Sequence, residues 1–287
     1  MMAKISKYAD SGALQDTDQA VIARAGDNKS LLGSNFAGGG GTGTTLPEGA
    51  ALTYDAVDGY SLEAGSDWNV NGTELTWVAS IARASLALAA STLYYVYLYD
   101  SGAGVAAVEE STTAPTWNST YNYWQKTGDA TRRCIGYIAV DSNGNIIKFV
   151  NTVLHYESEI TFLGDNTSGS LTYKQVISAG SAGTQTAMDL SAHIPSHATQ
   201  WRFAAKISFG ASGNDATLGI DPSNGFGTSP YAAYTVRSQN GASGASNTFL
   251  GRSWMQIMTA QTAYYAITNN TGTNTAYVEA WGARFRR

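Results

Sequence analysis

The stretch YWQKTGDATRRCIGYIAVDSNGNIIKFVN, residues 123–151, contains a clear strand-and-turn pattern. Polar residues at 126–133 lead into an apolar segment, 135–140, whose successive side chains point to opposite faces of an extended strand. Asn143 and Gly144 then supply the positive-φ positions of a two-residue turn, and the residues that follow return as a second strand. The stretch therefore predicts a β-hairpin.

The composition extends this prediction to the whole chain. Charged residues make up 14% of the 287 residues, against about 25% in ordinary soluble domains. Aromatic residues reach 11%, which is too many for a disordered polar chain. Thr, Tyr, Val and Ile favour strands, while the 31 Gly residues together with Asn and Ser favour turns. The sequence predicts an all-β protein.

Net charge and hydropathy argue against several classes of function. The net charge of −5 gives no electrostatic footprint for nucleic acid or an anionic membrane. The most hydrophobic stretch, residues 81–99, is interrupted by polar residues and predicts two strands instead of a membrane helix. No secretory leader is apparent, so we expect a protein made in a cytoplasm, without membrane insertion. Cys134 is the only cysteine, which excludes an intrachain disulfide and a thiolate zinc cluster.

Local composition divides the chain into five predicted parts. They are an attachment segment at 1–37, a Gly-rich linker at 38–49, a β shoulder domain at 50–155, a connector at 156–170 and a distal β domain at 171–287. Short strands with Gly or Asn at their joins predict a β-sandwich or jelly roll in each of the two β domains.

The strand at 93–99 is apolar on both faces, with Tyr side chains on one face and Tyr, Val and Leu on the other. Such a strand lies between layers or at a subunit interface. We therefore expect this apolar area to be covered in a homotrimer.

Motifs for catalysis, metals and cofactors have simpler structural explanations. GGGGTG, at 38–43, lacks the flanking strand and helix of a dinucleotide site, so it predicts a linker. His193 and His197 in HIPSH are separated by a proline and predict a solvated loop instead of a zinc pair. No nucleophile elbow or carboxylate pair in a cleft is evident. The prediction is a protein that is not an enzyme and uses no cofactor or metal.

Two further local predictions concern charge. A calcium site built from loop carboxylates at Asp165, Asp215 or Asp221 stays open at this point, because such groups are common ligands in β proteins. The arginines that alternate around Phe285 near the C-terminal end of the sequence predict the solvent-facing edge of a last strand.

The order of several elements resembles a module of tailed-bacteriophage fibre and virion-appendage proteins. These elements are a Tyr-rich strand (94–99), STTAP (111–115), KTGDATRR (126–133) and GYIAVDSNGNIIKF (136–149). The segment LQDTDQAVIARAGDNKSLLGSNF, 14–36, is also similar to the opening of phage fibre proteins. The module in the shoulder covers about 60 residues of the chain, and no shaft repeats accompany these similarities.

The resemblance implies a virion protein with an N-terminal anchor, a β shoulder and a distal β domain, usually trimeric. A short tail fibre or receptor-binding protein that attaches a phage to its host is the first hypothesis. A capsid decoration, head fibre or tail adaptor that binds other virion proteins is the alternative. A polysaccharide-degrading tailspike is disfavoured because the long repeated β-helix that it requires is missing. The expected location is the virion, assembled in the host cytoplasm.

Two sets of residues follow as binding candidates. In the distal domain, aromatic rings among Asn-rich and Ser-rich turns could stack on sugars of a host surface glycan; the candidates are Phe226, Tyr231, Tyr234 and Trp254. In the attachment segment, the apolar residues expected to dock on other virion proteins are Leu14, Val21, Ile22, Leu31, Leu32 and Phe36.

Overall fold

The structure is a computed structural model that describes residues 47–154, 157–163, 175–208, 215–223, 234–239, 247–257, 261–268 and 274–287. Within these ranges the chain forms strands, turns and loops, and no helix. All strand pairs between described residues are antiparallel. The predicted all-β class is confirmed, and the described residues contain no helix that could span a membrane.

The strands are numbered in chain order. The first eleven are β1 (Glu48–Gly49), β2 (Leu52–Ala56), β3 (Gly59–Leu62), β4 (Gly65–Val70), β5 (Thr73–Trp77), β6 (Ile81–Arg83), β7 (Leu93–Asp100), β8 (Ala106–Ser111), β9 (Pro115–Asn118), β10 (Tyr123–Lys126) and β11 (Asp129–Ala139). The other ten are β12 (Phe149–Leu154), β13 (Glu157–Phe162), β14 (Gln175–Gly180), β15 (Thr186–Asp189), β16 (Ala198–Ser208), β17 (Asp215–Asp221), β18 (Tyr234–Gln239), β19 (Asn247–Gln256), β20 (Thr262–Thr268) and β21 (Thr275–Arg286).

Four sheets are formed by these strands. The large sheet has nine strands, eight of them in the order β19-β16-β21-β13-β12-β2-β3-β6, while β14 also pairs with β21. A five-stranded sheet has the order β8-β7-β11-β10-β9, a four-stranded sheet has the order β15-β20-β17-β18, and a three-stranded sheet has the order β1-β4-β5. Buried residues from all four sheets form one hydrophobic cluster.

The large sheet joins the two halves of the chain, which the sequence had divided into two domains. β13, predicted as part of a connector at 156–170, pairs with β12 on one side and with β21 on the other. Residues Glu48–Arg287 form one compact unit. In β13, Glu157 and Glu159 alternate with inward-facing residues such as the fully buried Ile160. Because the outer face of this strand is polar, the sequence predicted a connector here.

The predicted hairpin at 136–149 is a turn between two sheets. β11 belongs to the five-stranded sheet and β12 to the large sheet, and only the bridge from Val140 to Ile146 joins the two arms. The carboxylate of Asp141 accepts hydrogen bonds from the backbone N–H groups of Asn143 and Asn145, both at 2.8 Å. Gly144 has a φ of +85°, whereas Asn143 does not have a positive φ. The hairpin prediction was therefore right about the turn and wrong about the pairing of its arms.

The two-faced strand of the prediction is β7, and both of its faces are buried within a single chain. Val96, Tyr97 and Leu98 are fully buried. β7 lies between β8 and β11, and it also contacts β4 of the three-stranded sheet. The chain thus covers the apolar area on which the trimer argument depended, and the homotrimer stays a prediction without that support.

The polar stretch at residues 126–133 forms ion pairs that connect β10 and β11 to β8 within the five-stranded sheet. Lys126 and Arg132 both pair with Glu109, at 2.8 Å and 3.2 Å. Thr127 and Gly128 make the turn between β10 and β11, and Gly128 has a φ of +82°. These charges are therefore explained by ion pairs within the sheet.

The final strand occupies the interior of the large sheet, where the sequence predicted a solvent-facing edge. β21 lies between β16 on one side and β13 and β14 on the other. Phe285 is fully buried and Arg287 is 5% exposed, while Arg286 faces solvent. The sequence prediction failed because strand order depends on pairing with residues far away along the chain, which local alternation does not report.

Candidate functional site

The outer face of the large sheet presents one half-exposed tryptophan among charged side chains. In β16, the inward-facing Trp201 and Phe203 are fully buried, so Arg202 between them points outward. Arg202 lies directly opposite Trp254 of β19 in the strand register. Gln200 of the same strand lies opposite Arg284 of β21. We call Glu159, Gln200, Arg202, Trp254 and Arg284 the Trp254 patch.

Two guanidinium groups hold the indole in place. The guanidinium carbon of Arg284 lies 4.9 Å from the centre of the Trp254 ring, and that of Arg202 lies 5.7 Å from it. Such cation–π contacts contribute on the order of 1 kcal/mol each at exposed positions. The ring is therefore oriented before any ligand arrives.

A carboxylate from a fourth strand, β13, completes the patch. Arg284 donates from Nη2 to Oε2 of Glu159 at 3.0 Å and from Nη1 to Oε1 of Gln200 at 3.1 Å. Arg202 lies 4.0 Å from the other oxygen of Glu159. The side chains of Arg202, Arg284 and Glu159 keep 18–28% of their surface exposed, although Nε of each arginine is buried without a hydrogen-bond partner among the described residues. The patch offers an aromatic ring, amide and guanidinium donors, and a carboxylate acceptor on an open surface.

The predicted glycan-binding residues have different positions in the structure. Trp254 lies in the patch. Tyr234 is half-buried: its ring packs edge-on against Phe203, at 5.1 Å between ring centres, and its hydroxyl donates to the backbone carbonyl of Trp254. It supports β19 from the inner side of the sheet and is not part of the outer face. Phe226 and Tyr231 lie outside the described residues.

The attachment residues predicted near the N-terminus are also not covered by the structure. Leu14, Val21, Ile22, Leu31, Leu32 and Phe36 lie outside the described residues, so their predicted role stays untested.

The charged members of the patch were missed by the sequence prediction. The alternation in TQWRFAAKIS places Arg202 on the face of the strand opposite to Trp201 and Phe203. The outward direction of Arg202 could therefore have been predicted from the sequence. However, the contact between Arg284 and Glu159 spans 125 positions of sequence and becomes visible only when the strand order is known.

The histidine loop is partly buried, which corrects the prediction of two solvated histidines. His197 is 4% exposed, and its ring centre lies 4.9 Å from that of Phe285 and 5.4 Å from that of Trp124. Burial lowers the pKa of His197 to about 3, so the ring is neutral at ordinary pH. Cys134, whose sulfur lies 3.8 Å from Nε2 of His197, is also buried, and burial raises the pKa of its thiol to about 12. Both groups belong to the core between the sheets.

The metal candidates do not assemble a site within the described part of the chain. No group of three or more His, Cys, Asp or Glu side chains among those residues is placed to hold a metal ion. The carboxylate of Asp221 accepts hydrogen bonds at 2.8 Å from both the N–H and the hydroxyl of Ser223. Asp165 and the side chain of Asp215 lie outside the described part.

Comparison with known proteins adds little to this picture. No family profile matches the sequence, and no curated protein matches it. The chain is similar in structure to an insecticidal delta-endotoxin from Bacillus thuringiensis, with 10% identity and a TM-score of 0.21. The match covers 83% of this chain and 52% of the endotoxin, so the chain spans about half the length of that protein. A similarity at this TM-score carries no functional argument.

Proposed function

We propose that this chain is a structural protein of a tailed-bacteriophage virion that attaches the particle to its host by binding a surface glycan. The Trp254 patch is the observation that carries the proposal. In it, a partly exposed indole lies beside two guanidinium groups on the outer face of the large sheet, in a cluster that also contains a carboxylate. The order of elements between residues 94 and 149, which resembles phage fibre proteins, supports the virion assignment.

The chemistry of the patch suits a saccharide. Aromatic rings stack on the apolar faces of sugar rings, while amide, guanidinium and carboxylate groups hydrogen-bond to hydroxyl groups. A preoriented ring and paired charges lose little conformational entropy on binding. In this proposal the protein binds the glycan without cleaving it, assembles as a homotrimer, and joins other virion proteins through residues 1–37.

Replacing Trp254 by alanine is expected to weaken glycan binding by about tenfold or more, because the stacking surface is removed. The measurement uses the full chain on an array of purified bacterial lipopolysaccharides and capsular polysaccharides, followed by titration of any polysaccharide that binds. Tyr121→Ala is the matched control, because Tyr121 is an aromatic residue that is 38% exposed in the turn between β9 and β10. Equal binding by Trp254→Ala and the wild type would remove the patch from the proposal.

Deleting residues 1–45 is expected to leave a soluble, folded protein that no longer enters virus particles. Residues Glu48–Arg287 form one compact unit, so the deletion does not cut through the sheets. Particle incorporation is measured by immunoblotting of purified virions after complementation with the full chain or the shortened one. Normal incorporation of the shortened chain contradicts the anchor role. If the full chain enters particles but binds no polysaccharide and no host cell, the decoration or adaptor hypothesis replaces the attachment hypothesis.

A further inference from the structure

Two buried arginines, Arg133 and Arg287, contact the ring of Trp68 although all three residues lie far apart in the sequence. Arg133 begins the buried part of β11, and Arg287 follows β21. Their guanidinium carbons lie 4.5 Å and 4.4 Å from the centre of the Trp68 ring. Because both contact one ring, the two carbons are at most about 9 Å apart by simple geometry. Arg133 is 6% exposed and Arg287 is 5% exposed, so both charges are nearly removed from water.

No carboxylate of the described residues compensates these two charges. The ion pairs between described residues instead involve Arg83, Lys126, Arg132, Arg202 and Arg284. Arg133 donates from Nη1 to the carbonyl of Asn69 at 3.0 Å, and Arg287 donates from Nη2 to the carbonyl of Gly49 at 2.8 Å. Backbone carbonyls are neutral acceptors, so within the described residues each guanidinium lacks a carboxylate partner, although that of Arg133 also contacts the Tyr123 ring at 4.9 Å.

Several donors of the pair are also unused. Among the described residues, Nε of Arg133 and both Nε and Nη1 of Arg287 are buried without a hydrogen-bond partner. Buried donors that lack a partner are rare, and each costs about 1–3 kcal/mol, with more for charged groups. Burial lowers the pKa of Arg133 to about 10 and that of Arg287 to about 9, and the charge of Arg133 adds to the second effect. An anion that accepted hydrogen bonds from these donors would relieve the repulsion between the two like charges.

We propose that Arg133 and Arg287 form an anion-binding site beside Trp68 that takes a small oxyanion such as phosphate or sulfate. Guanidinium groups match the oxygen spacing of oxyanions, and charge-assisted hydrogen bonds are among the strongest in proteins. The occupant is small because the two side chains leave only a few per cent of their surface open. The site ties the end of β21 to β1, β4 and β11, so its occupancy stabilises the fold. This inference does not depend on the proposed glycan binding.

The test is thermal unfolding of the full chain in potassium phosphate, potassium sulfate or potassium chloride at matched ionic strength. Above the dissociation constant, each tenfold rise in phosphate is expected to raise Tm by about 3–6 °C. Arg287→Gln is expected to lose this increase. Arg286→Gln is the matched control, since Arg286 is the exposed neighbour and lies on a different ring, that of Trp117. Non-specific salting effects raise Tm in all variants alike, so the difference between these two variants isolates the site.

A direct measurement makes the result independent of variant folding. Equilibrium dialysis of the wild-type chain against radiolabelled phosphate is expected to show one bound phosphate per chain, displaced by sulfate but not by chloride. Arg133→Gln serves as a second variant if Arg287→Gln does not unfold cooperatively. Absence of bound phosphate and sulfate in dialysis overturns the proposal, as does an Arg287→Gln variant that keeps the wild-type increase in Tm.

Discussion

Replacing Gly282 by alanine is expected to lower the free energy of unfolding by about 4 kcal/mol or more, enough to unfold many proteins of ordinary stability. Gly282 lies in β21 opposite Thr161 of β13, and its φ of +144° is one that residues with a side chain rarely adopt. An added Cβ would overlap the carbonyl oxygen of Ile160 and would lie 2.9 Å from Cα of Thr161. Both obstacles are backbone atoms, so relief requires the central strands of the large sheet to separate. Urea denaturation followed by circular dichroism measures the effect.

Gly102→Ala is the matched control for this prediction. Gly102 has a similar φ of +130°, but no atom of the described residues, apart from its chain neighbours, lies within 4 Å of the position that a Cβ would occupy. Alanine at this position is expected to lower stability only through backbone strain, by about 1–3 kcal/mol. If the two variants lose equal stability, the close approach of β13 and β21 is not what requires glycine at position 282.

Acid is expected to destabilise the protein through His197, with an effect on the order of 4 kcal/mol. The ordinary pKa of histidine is about 6.5, and in the folded protein burial lowers the pKa of His197 to about 3. As pH falls below about 6.5, the His197 imidazole binds a proton in the unfolded chain but not in the folded chain. The contribution of His197 to stability is therefore present above pH 6.5 and is lost as pH falls toward 3.

The measurement is the free energy of unfolding from pH 7.5 to pH 3.5, compared between the wild type and His197→Phe. The variant keeps a ring against Tyr95, Trp124 and Phe285, whose centres lie 4.9–5.8 Å from that of the histidine. Carboxylates contribute equally to both proteins, so the difference between the two pH profiles reports His197. Parallel profiles for wild type and His197→Phe would contradict the prediction.

Much of the secondary structure could be predicted from local chemistry. The division of residues 81–99 into two strands is confirmed by β6 and β7. The turn at Gly144 also formed as expected, with a positive φ. These features depend on side-chain alternation and on the left-handed conformation that glycine accepts, both of which are properties of neighbouring residues.

The candidate site was only partly accessible from the sequence. Trp254 could be named because an aromatic residue in a strand-rich segment is a plausible binding group. Its partners could not be named from the sequence, because Arg202, Arg284 and Glu159 come from three strands whose order in the sheet is not a local property. The same limit hid the burial of His197, which comes from rings contributed by β7, β10 and β21.

The sequence by itself determined the all-β class, the positions of several strands and turns, and the two-faced character of β7. Only the tertiary structure decided that β13 and β21 are neighbours inside one large sheet, that residues Glu48–Arg287 form one unit, and that Arg287 is buried. The physical reason is that strand alternation states which face of a strand is apolar but not which strand lies beside it. That choice depends on burying all the apolar faces at once, and it is made by residues separated by more than a hundred positions of sequence.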